Sequence, residues 1–155
     1  MTKRCDHTSV GMLVWKENEL LLIERKKPPF GFAPPAGHVD KDDSFEVAAK
    51  RESEEEVGLK VKNINLLIEG RKENPCRRKD GNWHYWKIYE IKTEGDVKRS
   101  QEETKQAGFY SKEKIKELAK RTEDYIKGEI KEEEWEKSPG IEPVWYEWLK
   151  ELEVI

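Results

Sequence analysis

Between Gly37 and Leu59 the chain reads GHVDKDDSFEVAAKRESEEEVGL, and this stretch makes two demands that few folds meet together. A helix turns by about 100° per residue. Phe45, Ala48 and Ala49 therefore share one stripe, and its continuation carries Glu52 and Glu56, with Glu55 beside them. A face that packs against a core in its first turns becomes acidic in its last ones. Carboxylates converging in a partly buried place repel one another and cannot all stay ionised without a cation between them. A hard divalent ion with oxygen ligands answers that need.

Both ends of this helix are marked. Asp43 followed three residues later by Glu46 is a capping-box pattern that predicts Asp43 as the N-cap. Gly58 after Val57 predicts a left-handed stop.

The spacing resembles the Nudix box, with Gly37, Arg51, Glu52, Glu55, Glu56, Gly58 and Leu59 at its fixed positions. Two positions depart from it. Asp43 stands where the family has Glu, and Ser53 where it has an aliphatic side chain. The resemblance implies an α/β class domain, the Nudix-type α/β/α sandwich with a mixed central sheet. It also implies a pyrophosphohydrolase in which water attacks the diphosphate link of a nucleoside diphosphate derivative. The implied cofactor is Mg²⁺, with Mn²⁺ able to substitute, held by Glu52, Glu55 and Glu56, often with the backbone carbonyl of Gly37. Arg51 is implied to orient the glutamates through charge-assisted hydrogen bonds. Such an ion neutralises the phosphates, polarises phosphorus and acidifies a bound water. Asp43 then has two readings, a shortened catalytic carboxylate or a cap. The cap is preferred because Asp caps well and Glu does not. Ser53 weakens packing and leaves the chemistry alone.

Around this box, apolar runs at Ser9–Trp15 and Glu19–Glu24 flank Lys16-Glu17-Asn18 and read as a hairpin. Phe30 to Ala33 reads as a short strand. Asn63–Glu69 and Trp83–Ile91 read as strands joined by a polar connection turning at Asp80-Gly81. After the short apolar run 107–110, helices are expected over 112–119 and 123–135, stopped by Pro139-Gly140. Val144, Trp145, Trp148, Leu149 and Leu152 recur at helical spacing. That face is expected to dock on the core of the same chain, or across a dimer interface. One domain over 1–155 is expected, with helices from about 123 to 152 packed on it.

Several residues outside the box carry functional readings. Glu103, in a polar segment ahead of Phe109-Tyr110, resembles the extra acid that Nudix sites recruit as a metal ligand or general base. Arg25, at the end of the strand before the box, is a candidate for phosphate binding. Phe30 and Phe32 are candidates to stack a base, against a plain core role. The basic segment 71–79 is either a phosphate-binding patch or a solvated connection. Cys5, His7, Cys76 and His84 form a possible Cys₂His₂ zinc set, although neither half has a standard zinc spacing.

Composition narrows the partners. Charged residues make up 41% of the chain and hydrophobic ones 35%, yet six Trp, five Tyr and four Phe supply the area a core needs. Thirty-three acidic residues against thirty basic ones leave a net charge of −3, which gives no support to nucleic-acid or membrane binding. No apolar run approaches the ~20 residues of a membrane span. Two Cys make no disulfide framework, and a cytoplasmic setting is expected. The partner implied is a small nucleotide-type substrate, and the chain is expected to be a monomer or homodimer. Two other readings stay open: a Nudix-fold module that senses a nucleotide without cleaving it, and an RNA 5′-end hydrolase using the basic segment. Pro35-Ala36-Gly37 resembles the form seen in several members that cleave ADP-sugars.

Overall fold

Strand Thr8–Leu13 (β1) is the axis of the molecule, bonded on one side in parallel and on the other antiparallel. A computed structural model describes residues 3–155. Following β1 come Trp15–Lys16 (β2), Glu19–Arg25 (β3), Phe32–Ala33 (β4) and Ala36–Gly37 (β5), then helix Phe45–Val57 (α1). Strands Lys60–Lys72 (β6), His84–Glu94 (β7) and Thr104–Tyr110 (β8) precede helices Lys112–Ile126 (α2), Glu132–Lys137 (α3) and Pro143–Glu151 (α4). One mixed sheet runs β5-β1-β7-β6, its only parallel pair among the described strands being β1 with β7. A second, antiparallel sheet is built on β3, which pairs with β2, β4 and β8.

Strand alternation divides the core in two. Leu20 and Leu22 of β3, with Trp86 and Ile88 of β7, face α2 and α4. Leu21 and Ile23, with Tyr89 and Ile91, face Ala48, Ala49 and Val57 of α1. Helices thus cover both faces of a mixed sheet, the α/β/α layering and mixed central sheet expected.

The β2–β3 hairpin turns through Glu17 and Asn18, both at positive φ, which matches the right-handed twist of its strands. The second hairpin extends further than its apolar residues indicate, pairing Lys60 with Glu94 at one end and Lys72 with His84 at the other. Helix α1 starts one residue later than the capping-box pattern predicts. Ser44 is the N-cap, its Oγ accepting the Val47 N–H at 3.1 Å, while Asp43 is exposed. Gly58, at φ 68°, ends the helix as expected. Ser53 is fully buried and donates its hydroxyl to the Ala49 carbonyl at 2.8 Å, so its polar atom is satisfied within the helix.

The continuous helix expected over 123–135 is two elements. α2 runs on to Ile126, Gly128 adopts φ 82°, and α3 starts only at Glu132. Folding back in this way stacks Trp135 on Tyr125, with ring centroids 4.0 Å apart. Thr122 then donates its hydroxyl to the Ile141 carbonyl (2.8 Å), leading the chain across α2 into α4. Val144, Trp145, Trp148 and Leu149 of α4 are buried, and Trp145 meets Trp86 edge to face at 5.4 Å. Burying such an aliphatic side chain contributes about 1.5–3 kcal/mol, and a Trp brings more area still.

Candidate active site

The pairing of β5 with β1 lays Gly37 over the carboxyl end of α1. A Cβ on Gly37 would overlap the Glu52 carboxyl group. Arg51 gathers the surrounding acceptors. Its Nε donates to Asp42 Oδ2 (2.8 Å), its Nη1 to Glu52 Oε1 (2.8 Å) and Glu55 Oε2 (3.1 Å), and its Nη2 to the His38 carbonyl (2.9 Å). One planar fork thus fixes two box glutamates and the loop facing them.

The three glutamates differ in environment. Glu52 has a side chain 16% exposed, whereas Glu55, flanking the stripe, is 61% exposed. Glu56 accepts one long hydrogen bond, from Ala36 N–H at 3.4 Å. Burial is the main cause that pushes Glu52 up to about 7, against the opposing charge of Arg51. Burial pushes Glu56 up to about 8, with Glu52 adding repulsion and Arg25 opposing it. A buried Glu56 with one long hydrogen bond, beside a Glu52 held by Arg51, is suited to a divalent cation, so the donor set fits the ion that the box implies.

These glutamates line an open cavity of about 790 Å³, together with Gly37, Arg25 and Glu103. Arg25 Nε is buried with no hydrogen-bond partner among the described residues. Glu103 is exposed at the mouth, 3.8 Å from Lys27 Nζ and 3.5 Å from Arg77 Nη2. Of the basic segment, Arg77 and Arg78 reach this cavity; Arg78 also forks onto Asp40 at 2.5 and 2.9 Å. Phe30 does not line it. It lies in an adjoining cavity of about 320 Å³ with Tyr125 and Trp135, and the two cavities share Pro29, Asn74, Pro75 and Glu142. Phe32 is core, edge to face with Tyr110. Asp42, which anchors Arg51, went unnoticed in the sequence, where it sits one place before the acid that drew attention.

Cys5, Cys76 and His84 do converge, with Cys76 and His84 on the wall of the larger cavity, but His7 does not join them. Its ring stacks on Trp83 at 4.0 Å and its Nδ1 lies 2.9 Å from the Trp83 carbonyl. The fourth member is His38, next to Gly37. Its position in the box is a spacer, so the sequence pattern gives it no role. Burial pushes the Cys5 thiol up to about 11, and burial and then Arg78 push His38 down to about 4.

Fold and site together define a mixed α/β sandwich whose box helix carries the polar chemistry. A NUDIX domain family model matches residues 6–132, and the chain belongs to the Nudix hydrolases. An ADP-ribose pyrophosphatase of Methanocaldococcus jannaschii is 34% identical over 122 residues, covering 77% of this chain and 70% of that protein. A MutT Nudix hydrolase from Burkholderia pseudomallei superposes with a TM-score of 0.61 at 22% identity, over 69% of this chain and 84% of its own. An Ap4A hydrolase from C. elegans gives 0.53 at 21%, over 75% and 89%. At such identities the solved structures speak to the fold alone. Pyrophosphohydrolase activity in the general sense follows from the family, whose members generally use divalent metal ions. No helix among the described residues is long and apolar enough to cross a membrane.

Proposed function

We propose that this chain is a metal-dependent pyrophosphohydrolase that cleaves the diphosphate link of a nucleoside diphosphate derivative, with an ADP-sugar such as ADP-ribose the first candidate. The observation that carries this reading is the pair Glu52 and Glu56, two largely buried carboxyls facing one cavity with Arg25. The relative named for ADP-ribose supports the choice of substrate.

Glu52 and Glu56, with Glu55 and the Gly37 carbonyl beside them, would hold Mg²⁺ or Mn²⁺. When bound, such an ion neutralises phosphate charge and acidifies a coordinated water. Arg51 keeps the glutamates aligned from behind. Arg25 and Arg77 offer cations to the diphosphate, and Glu103 stands where it can accept the proton of the attacking water. The water oxygen bonds to phosphorus, the bridging P–O bond breaks, and two phosphate-bearing products leave. Phe30, beside Tyr125 and Trp135, gives the adjoining cavity an aromatic wall suited to a base or ribose. We assign the chain to one working unit of 1–155, acting in the cytoplasm as a monomer or homodimer.

The test is a screen that separates the products by chromatography, with Mg²⁺ and Mn²⁺, over nucleoside triphosphates, ADP-ribose, dinucleoside polyphosphates and triphosphorylated RNA. Hydrolysis of ADP-ribose to AMP and ribose 5-phosphate is the expected result. Tight nucleotide binding with no cleavage of any of them would instead make the chain a sensor. Preferential cleavage of RNA would move the substrate to a 5′ end.

A further inference from the structure

We propose that Cys5, His38, Cys76 and His84 bind a structural Zn²⁺ that clamps three separate segments together beside the carboxylate cavity. Their four ligand atoms lie within 4.8 Å of one another. The segments are the amino-terminal stretch, the loop after β5, and the β6–β7 connection with the start of β7.

The two distances from Cys5 to the histidines agree with tetrahedral coordination. Zn–S and Zn–N bonds of about 2.3 and 2.0–2.1 Å put a sulfur and a nitrogen ligand about 3.5 Å apart. Cys5 Sγ is 3.3 Å from His84 Nε2 and 3.6 Å from His38 Nε2.

Orientation agrees as well. Asn74 Oδ1 accepts the indole N–H of Trp86 at 3.1 Å, which identifies that atom as the amide oxygen. The same oxygen lies 3.2 Å from His84 Nδ1, so Nδ1 carries the proton and Nε2 presents its lone pair to the cluster. An imidazole held through its far nitrogen in this way is the usual support of a metal-ligating histidine.

Both sulfurs accept a backbone N–H from two residues ahead. His7 donates to Cys5 Sγ at 3.2 Å, and Arg78 to Cys76 Sγ at 3.4 Å. The thiolate is the ligand form, and a backbone N–H is a donor that a sulfur can keep while it coordinates a metal. The turn after Cys76 closes through its N–H to the Gly81 carbonyl at 2.7 Å, and a Cβ on Gly81 would overlap Cys76 Sγ. Glycine there leaves room for the sulfur. The amino-terminal stretch is already aligned, with Cys5 N–H on the Lys79 carbonyl (2.9 Å) and Lys79 N–H on that of Lys3 (3.0 Å).

Donor softness separates this site from its neighbour. Two thiolates and two neutral imidazoles are a soft donor set that suits Zn²⁺, and their charge of −2 makes the complex with that ion neutral. The carboxylate cavity takes oxygen-loving Mg²⁺. The two meet at His38, whose carbonyl receives Arg51 Nη2, so the clamp also steadies the loop facing Glu52.

The test is metal analysis of the full chain after gel filtration, alongside Co²⁺ titration of the reduced, metal-stripped protein. The expected result is one zinc per chain in the wild type, in Glu56→Gln and in His7→Ala, with loss of zinc in Cys76→Ser and His84→Ala. Co²⁺ should develop the intense visible bands of a tetrahedral thiolate complex, a reading of the wild type that holds even if the ligand variants fold poorly. A wild type that has no zinc and gives no thiolate–Co²⁺ absorption would overturn the site. So would zinc retained undiminished in both ligand variants, or Cys5 and Cys76 found joined as a disulfide.

Discussion

Gly37 and Glu52 meet with no room for another carbon, since a Cβ on Gly37 would fall within the Glu52 carboxyl group. Gly37 lies in ordinary strand pairing with Val10, and it is absent from the positive-φ positions, so the glycine serves close approach and not backbone freedom. Gly37→Ala is therefore expected to displace Glu52 and lower turnover at least tenfold, about 1.4 kcal/mol at the transition state. Gly70→Ala is the control, because its nearest obstacle is Trp148 at 3.7 Å, an ordinary contact. Steady-state rates and melting curves of the two variants check this; equal rates would remove the steric role.

Ser44 and Asp43 should separate cleanly. Ser44→Ala removes the hydroxyl that accepts the Val47 N–H and is expected to cost about 1 kcal/mol of stability. Asp43→Asn should leave both melting temperature and turnover unchanged, because Asp43 is exposed and does not cap α1. Loss of turnover in Asp43→Asn at an unchanged melting temperature would restore the catalytic reading of that carboxylate.

These two neighbours mark how far the sequence could be read. The box, the helix and the inward Glu52–Glu56 stripe are periodic, and periodicity survives folding. The N-cap depends on a single residue of phase, and Asp43 with Glu46 offered as good a local pattern as Ser44 did. The Cys5–His38–Cys76–His84 convergence is set by strand register over separations of up to 79 residues, so no local spacing encodes it. His7 was nearer in sequence, but Trp83 takes its ring. The split at Gly128 was similarly hidden, because charged residues on either side of it are good helix formers.

Metal binding and pH should be coupled with a definite sign. Glu52 and Glu56, raised to about 7 and 8, keep their protons in the folded, metal-free protein after the unfolded chain has lost them. Their contribution to stability is fully present below about 4.5, the unfolded value, and is lost as pH rises toward 7 and then 8. A divalent ion must displace those protons and compensates the charge once they are gone. Mg²⁺ is therefore expected to raise the melting temperature more at pH 8 than at pH 6, measured by calorimetry at fixed ionic strength. An equal rise at both pH values would contradict the coupling.

The most direct test of the carboxylate site is the turnover of Glu56→Gln, with saturating Mg²⁺, on the diphosphate substrate that the wild type cleaves fastest. Glu56 is held protonated near neutral pH in the metal-free protein, and Gln copies that form, so the variant should fold with an unchanged or higher melting temperature. Its turnover is expected to fall at least a hundredfold, about 2.7 kcal/mol, because an amide is a poor ligand for a hard cation. Near wild-type turnover in a well-folded Glu56→Gln protein would contradict the site.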